Sequence, residues 1–212
     1  MSEETTLADL RVLDLSSSVA GAFCARLFAD YGADVIAISP PGAPPPLGEG
    51  KRSVTLDITK PAAREVFEAM VEKANVVIET LAEGTLESLG LAFPQLEAIK
   101  RRIIVVSVPD GADEAASLFA GLNAFAAAAL AVFNADSHEI PQHIRISPDG
   151  CLAAVRGFPA GGLPADEPLF TSSTVGWERG ETPAAGEHSA EVFGEIGLPG
   201  DEVARLRDEG AV

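Results

Sequence analysis

Residues 11–15 read Arg-Val-Leu-Asp-Leu, a short apolar run that is typical of a buried β-strand. Apolar residues then recur with the 3.6-residue period of a helix, and a turn at Gly32 leads to a second strand at Val35–Ile38. The members of the helical face are Ala20, Phe23, Cys24, Leu27 and Phe28. A strand, a helix and a second strand in this order predict a parallel pair, since parallel strands need a long crossover connection.

The same alternation continues down the chain. Further strands are predicted at Val54–Asp57, Asn75–Glu79 and Arg102–Ser107, with helices from Pro61 onward and around Pro94–Lys100. We therefore expect an α/β fold: a Rossmann-like parallel sheet with helices on both faces. Such sheets bind ligands at the carboxyl ends of their strands. Here those ends are the loops Ser16–Gly21, Ser39–Gly50, Thr80–Gly84 and Val108–Asp113.

The pattern changes after an alanine-rich segment, Ala115–Phe133, that we interpret as a buried helix. Ile144–Ser147 and Cys151–Val155 flank Pro148-Asp149-Gly150 and predict a β-hairpin. Two short helices, Ser189–Ile196 and Asp201–Asp208, follow a stretch without periodicity. We divide the chain into a Rossmann-like domain, residues 1–137, and a region of hairpin and tail, residues 138–212.

Charge excludes several classes of partner. The 212-residue chain has a net charge of −17, which argues against nucleic acid and anionic membranes. Alanine contributes little transfer free energy, so Ala115–Phe133 is not expected to span a membrane. Two cysteines without a CxxC motif and a polar, acidic start at Met1–Asp9 predict a cytoplasmic protein. His138 and His143 lack a third ligand, so no metal site is expected.

Several segments, in the right order, resemble one known family. They are Arg11–Ser16 with Ala20-Gly21, Leu27–Ile36, Gly50–Asp57, Ala74–Glu79 with Gly84-Thr85-Leu86, and Gly186–Ser189. Together they resemble the family III (CaiB/BaiF) CoA-transferases, which include the α-methylacyl-CoA racemases. The resemblance implies a Rossmann-like domain that a returning C-terminal tail completes, a dimer of interlocked chains, and CoA bound on the domain. It also implies an aspartate that carries the acyl group covalently.

The catalytic position departs from the family pattern. The family's aspartate begins a helix, four residues before a glycine, and alignment on Gly121 places Ser117 there. A serine hydroxyl carries no charge with which to attack an acyl-CoA. Asp113 is the nearest carboxylate, and it can substitute only if the helix begins one turn earlier. As a helix-start residue, Asp113 is also a natural N-cap.

The resemblance places CoA contacts at Ser18, Val19, Lys51, Arg52, Thr80 and Leu81. Cations usual in the family are missing where Ser39-Pro40 and Ser88 stand, so CoA is expected to bind weakly or not at all. Lys51 and Arg52 are either phosphate contacts or a solvated basic pair. Asp14 is expected to fix the backbone. Because it lacks both the aspartate and these cations, we expect a catalytically degenerate subunit or remnant related to acyl-CoA metabolism rather than an active CoA-transferase.

Two alternatives remain open. The chain is either an active acyl-CoA transferase or racemase that uses Asp113 or a partner's carboxylate, or a binding module for a different ligand. The expected assembly is a homodimer, or a heteromer with a full-length relative. We expect Phe119, Phe125 and Phe133 to contribute to its buried surface.

Overall fold

A computed structural model describes residues 7–157, 170–172, 199–201 and 204. The strands are β1 Arg11–Leu15, β2 Asp34–Ser39, β3 Arg52–Thr55, β4 Val76–Glu79, β5 Ile104–Ser107, β6 Gln142–Ile146 and β7 Phe170–Ser172. The helices are α1 Val19–Asp30, α2 Pro61–Val71, α3 Thr85–Ser88, α4 Phe93–Ile99, α5 Glu114–His138 and α6 Pro148–Gly157. These elements lie in the first of two compact units, residues 1–177; the second is residues 178–212.

The strands form one sheet in the order β3-β2-β1-β4-β5-β6-β7. Strands β1 to β6 are parallel to their neighbours, and β7 pairs antiparallel with β6. The predicted α/β fold with a central first strand is confirmed. From β1 the chain continues to β2 and β3 on one side of the sheet, and from β4 it continues to β5 and β6 on the other. The carboxyl ends of β1 and β4, where these two halves meet, border a crevice of the kind that binds ligands in such sheets.

Alternate residues of the central strands point to opposite faces of the sheet and build two cores. On one face Val12, Val76 and Val106 pack beneath α1 and α5. On the other face Leu13, Val77 and Val105 pack beneath α2 and α4. Strands buried on both faces read as continuous apolar runs, which explains why their sequences were recognisable.

Helix α5 has a mean hydropathy of 1.9 over its most apolar window and is long enough to cross a membrane. The core helices of soluble proteins have the same length and composition, and α5 lies in the first core with a row of buried alanines. At Gly121 a Cβ atom would collide with the carbonyl oxygen of Ala20. The absence of a side chain there allows α5 to approach α1 closely, as a core helix does.

The predicted hairpin is wrong. Its first strand exists as β6, but β6 pairs in parallel with β5, and the second segment is helix α6. Ser147 Oγ accepts a hydrogen bond from the Gly150 amide at 3.1 Å, which caps the helix start. A serine, a proline at the first helical position and an aspartate next to it form a helix-start signal. Pro148-Asp149-Gly150 is therefore the first turn of a helix and not the turn of a hairpin.

The tail falls largely outside the described residues. Ser189–Ile196 lies wholly outside them, and of Asp201–Asp208 only residues 201 and 204 are described. The return of the tail to the first domain therefore stays a prediction.

Candidate functional site

The crevice between β1 and β4 is formed by the loop that links β1 to α1 and by Thr80, which follows β4. The amide of Ser17 donates a hydrogen bond of 3.0 Å to Thr80 Oγ1, which joins the two strand ends. A Cβ atom at Gly21 would collide with the side chains of Ser16 and Thr80. Glycine at this position therefore allows the start of α1 to lie against both strands.

The start of α1 retains features that suit an anion. Ser18 is its N-cap residue but makes no side-chain capping bond, and the first turn holds no acidic residue. Among the described residues, no partner contacts the buried hydroxyls of Ser16 and Ser18. Backbone amides at a helix N-terminus attract negative charge. Ser18 and Val19, two of the predicted CoA contacts, lie at this helix start, and their contact with CoA stays a prediction.

The geometry does not fit the predicted phosphate contact at Lys51. Its Nζ lies 2.8 Å from Asp14 Oδ2, and the two side chains are 0% and 1% exposed. The same ammonium donates to the carbonyl oxygens of Ala22, at 3.0 Å, and Pro46, at 3.3 Å. Three acceptors therefore take the three protons of Lys51 inside the protein.

Asp14 fixes the backbone, as expected. Its Oδ1 accepts a hydrogen bond of 2.9 Å from the Ser16 amide, while Oδ2 holds Lys51. The carboxylate thus ties the end of β1 to the loop before β3. A carboxylate in a buried strand is the sequence signal for such a partner, since buried charges are paired.

Arg52 is also held by a carboxylate. Its Nε and Nη2 donate to the two oxygens of Asp34 at 2.7 and 2.6 Å. Arg11 Nε donates to the same Asp34 at 2.7 Å. Although burial opposes it, bonding to the two guanidinium groups lowers the pKa of Asp34 below its ordinary value. Arg52 is largely exposed and can be reached from solvent. Its contact with CoA stays a prediction, and a phosphate group that binds there must compete with Asp34.

The start of α5 brings the two catalytic candidates together. Asp113 is the N-cap, and its Oδ1 accepts a hydrogen bond of 2.8 Å from the Ala116 amide. Ser117 is 5% exposed; its hydroxyl donates to the Asp113 carbonyl oxygen at 3.0 Å and accepts from the Gly111 amide at 3.1 Å. The helix thus begins one turn before Ser117. Only with such an early helix start can Asp113 take the place of the family's aspartate.

A second site, which sequence reasoning missed, lies at the carboxyl ends of β4, β5 and β6. Glu79 is paired in register with Ser107, and Ser107 with Arg145. These residues line a cavity of about 290 Å³ together with His143. The signal was available, because the last residues of neighbouring parallel strands meet at one edge of the sheet.

A chain of hydrogen bonds joins the buried groups of this cavity. Ser107 Oγ lies 2.9 Å from His143 Nε2 and also bonds to Glu79, and Glu79 Oε2 accepts from the Leu81 amide at 2.7 Å. An ionised carboxylate only accepts hydrogen bonds, so while Glu79 is ionised Ser107 Oγ donates to it, and Ser107 Oγ in turn accepts a hydrogen bond from His143 Nε2. In that arrangement His143 does not activate Ser107 as a nucleophile.

Burial sets the protonation of both titratable groups. It lowers the pKa of His143 to about 4, with help from the positive charge of Arg145. It raises the pKa of Glu79, which hydrogen bonds from Ser107 and Leu81 oppose. At neutral pH His143 is therefore uncharged, and Phe93 stacks on its ring at a centroid distance of 5.5 Å.

One protein-family model matches the part of the chain that forms the crevice and the sheet around it. The model of CoA-transferase family III matches residues 7–114, half of the 212-residue chain. The chain belongs to this family. The match begins before β1 and ends at the first residue of α5, so this family III member contains the strand ends that form the crevice.

Curated relatives of this family III chain are CoA-transferases. The succinyl-CoA–D-citramalate CoA-transferase of Chloroflexus aurantiacus is 33% identical over 120 residues, 48% of this chain and 30% of the relative. The succinyl-CoA:mesaconate CoA-transferase of Haloarcula hispanica is 35% identical over 123 residues, 48% and 31% of the two chains. A third relative is the beta subunit of a succinyl-CoA–L-malate CoA-transferase, also from Chloroflexus aurantiacus.

Solved structures show the same fold. A CaiB/BaiF family protein from Brucella suis superposes with a TM-score of 0.64 and 24% identity over 76% of this chain and 59% of its own. Rv3272 from Mycobacterium tuberculosis gives 0.66 and 20% over 72% and 56%. The matched segments thus span less than two thirds of each relative.

Proposed function

We propose that this family III chain is a catalytically degenerate CoA-transferase subunit that binds CoA weakly and transfers no acyl group by itself. The state of Ser117 carries the proposal. It stands where the family's aspartate is expected, it is buried, and its hydroxyl donates to the Asp113 carbonyl oxygen and accepts from the Gly111 amide. A hydroxyl in that state has neither charge nor freedom to attack a thioester.

The charges around the crevice support weak binding of CoA. The amides at the start of α1 fit one phosphate group, but CoA carries several. Lys51 is buried against Asp14, and Arg52 is shared with Asp34. Each missing charge-assisted hydrogen bond costs about 1.5–3 kcal/mol, so the loss of two cations weakens CoA binding by about two to four powers of ten. The expected affinity is millimolar or weaker.

The test is calorimetry with CoA, followed by an exchange assay with succinyl-CoA and the acceptors D-citramalate, mesaconate and L-malate. The acceptors come from the names of the curated relatives. We expect no measurable heat at micromolar CoA and no exchange. Micromolar affinity together with exchange by the purified chain would overturn the proposal.

Asp113 carries the alternative that the chain is an active transferase, because α5 begins directly after it. If exchange is found, Asp113→Asn and Ser117→Ala separate the candidates. Asparagine caps a helix as well as aspartate, so Asp113→Asn removes the charge and leaves the helix start intact. Loss of exchange in Asp113→Asn, with exchange kept in Ser117→Ala, identifies Asp113 as the nucleophile.

We further propose that α5 contacts a second copy of the chain. Leu122, Leu130 and Phe133 recur at helical spacing, and Leu130 and Phe133 are 65% and 73% exposed. Phe125 belongs to the chain's own core instead, since its ring meets Phe28 at a centroid distance of 4.9 Å. Phe119 also packs partly against that core. Of the three phenylalanines predicted for the interface, Phe133 is the exposed one.

Light scattering tests the assembly at micromolar concentration. A dimer is expected for the wild type and a monomer for Leu130→Glu with Phe133→Glu. Val66→Glu, at an exposed apolar position on α2, is the matched control and should stay dimeric. A monomeric wild type that forms a complex with a full-length relative would replace the homodimer with the heteromer.

A further inference from the structure

The cavity at the ends of β4, β5 and β6 lies on the far side of β4 from the crevice at β1 and β4. The two share the loop after β4, since Leu81, a predicted CoA contact, also lines the cavity. Its apolar wall consists of Leu81, Leu86, Phe93 and Val105, which belong to the core beneath α2 and α4. The start of α1 belongs to the core on the opposite face of the sheet. At about 290 Å³, the cavity lies at the small end of ligand pockets, about 300–1,000 Å³. It holds one small molecule and not CoA.

The rim of the cavity carries charges of both signs. Glu83 and Glu87 supply exposed carboxylates, and Arg145 supplies an exposed guanidinium group. Among the described residues, no carboxylate lies within ion-pair distance of Arg145. Arg52, by contrast, is already bonded to Asp34. The guanidinium group of Arg145 is therefore positioned to meet an incoming anion.

Two opposite charges of the cavity lining act on the same buried groups. The negative charge of Glu87 and the positive charge of Arg145 shift the pKa of Glu79 in opposite directions, and they do the same to His143. Both rim charges are thus close to the floor that Glu79 and His143 form. The cavity lining thus combines a carboxylate and a guanidinium group with apolar side chains.

We propose that this cavity binds a small zwitterion with an apolar body, of the class of α-amino acids with a large apolar side chain. The carboxylate of such a ligand meets Arg145, its ammonium group meets Glu87 and Glu79, and its side chain packs on Leu86 and Phe93. A simple carboxylic acid leaves the acidic side unpaired, and a simple amine leaves Arg145 unpaired. The site does not depend on CoA binding or on an acyl-transfer activity.

Three probes with the same aromatic body test the ligand class: L-phenylalanine, 3-phenylpropanoate and 2-phenylethylamine. Calorimetric titration of the full chain should detect L-phenylalanine and give at least about tenfold weaker binding of each single-charge analogue, the effect of one charge-assisted contact. Equal binding of L-phenylalanine and either analogue, or no binding of any probe at millimolar concentration, overturns the proposal.

Two variants assign the charges. Arg145→Gln should weaken L-phenylalanine and 3-phenylpropanoate by about tenfold or more and leave 2-phenylethylamine unchanged. Glu87→Gln should weaken L-phenylalanine and 2-phenylethylamine and spare 3-phenylpropanoate. Arg101→Gln and Glu97→Gln remove exposed charges away from the cavity and should bind like the wild type. Equal losses in the variants and in their controls would show a nonspecific effect of charge and sink the assignment.

Because CoA is absent from these titrations, their outcome is independent of the proposed function. A chain that binds L-phenylalanine and also exchanges acyl groups would overturn the proposed function alone. A chain that does neither would overturn this inference alone.

Discussion

The crevice at the ends of β1 and β4 and the cavity at the ends of β4 to β6 use their charges in opposite ways. In the crevice, Lys51 is buried against Asp14, and Arg52 is bonded to Asp34. In the cavity, Glu87 and Arg145 face solvent at the rim. The cations of the crevice therefore serve the fold. The cavity keeps charges that a ligand can reach.

Replacing Lys51 is expected to have the largest effect on this contrast. Lys51→Met leaves the Asp14 carboxylate buried without a partner, and breaking such a pair costs about 3–5 kcal/mol of unfolding free energy. Arg52→Met removes a largely exposed partner of Asp34, and such pairs contribute about 0.2–1 kcal/mol. Urea denaturation of both variants measures the two losses side by side.

The double variant Asp14→Leu with Lys51→Met is the control for this experiment. Because it removes both charges, it should recover much of the stability that Lys51→Met loses. Equal and small losses in Lys51→Met and Arg52→Met would mean that Lys51 is not buried, and the crevice would regain a cation for CoA.

Restoring the missing cations should bring the crevice back towards CoA binding. Pro40→Arg and Ser88→Arg place guanidinium groups at exposed positions where the family usually has them. Each restored contact is worth about 1.5–3 kcal/mol, so the CoA dissociation constant should fall by about tenfold or more for each. Calorimetry with CoA measures the change, and Gln95→Arg, which adds the same single charge at an exposed position elsewhere, should change it far less. An equal gain from Gln95→Arg would show that net charge alone limits binding.

The contrast also explains how much could be predicted from the sequence. The strands were recognisable because they are buried on both faces, and the Asp14 carboxylate within one of them indicated a fixed role. The partner of Asp14 was not predictable, since Lys51 follows a loop rich in proline and glycine whose path local patterns do not determine. The cavity was missed because Glu79, Ser107 and Arg145 meet only through the register of three strands. That register follows from the order and pairing of the strands, which local sequence patterns do not determine.

Gly21 controls how closely α1 approaches the crevice. In Gly21→Ala the new Cβ collides with Ser16 and Thr80, and such overpacking costs about 1–3 kcal/mol. Thr80→Ser removes the methyl group that is in the way and keeps the hydroxyl that bonds Ser17. The double variant should therefore recover part of the loss in thermal or urea unfolding. No loss in Gly21→Ala would show that the loop before α1 shifts freely.

The smallest expected effect concerns the pH dependence of stability at the cavity. Burial lowers the pKa of His143 from its ordinary value of 6.5 to about 4. Between these values the unfolded chain binds the proton and the folded chain does not, so stability falls as the pH falls through this window. A single proton contributes at most about 1.4 kcal/mol per pH unit, and access of solvent to the cavity reduces that figure. The raised pKa of Glu79 acts in the opposite direction near the lower end of the window, because there the folded chain holds its proton more tightly.

His143→Gln removes the titrating ring and keeps a neutral donor and acceptor, so it should flatten the fall in stability between pH 7 and pH 5. Urea unfolding at the two pH values measures this slope for the wild type and the variant. The exposed His138 provides the matched control, and His138→Gln should keep the wild-type slope. The carboxylate of Asp34 does not interfere, because its lowered pKa confines its contribution to more acidic solutions. An unchanged slope in His143→Gln would mean that the ring is hydrated in the folded protein, and the cavity would then be more open than its buried polar floor indicates.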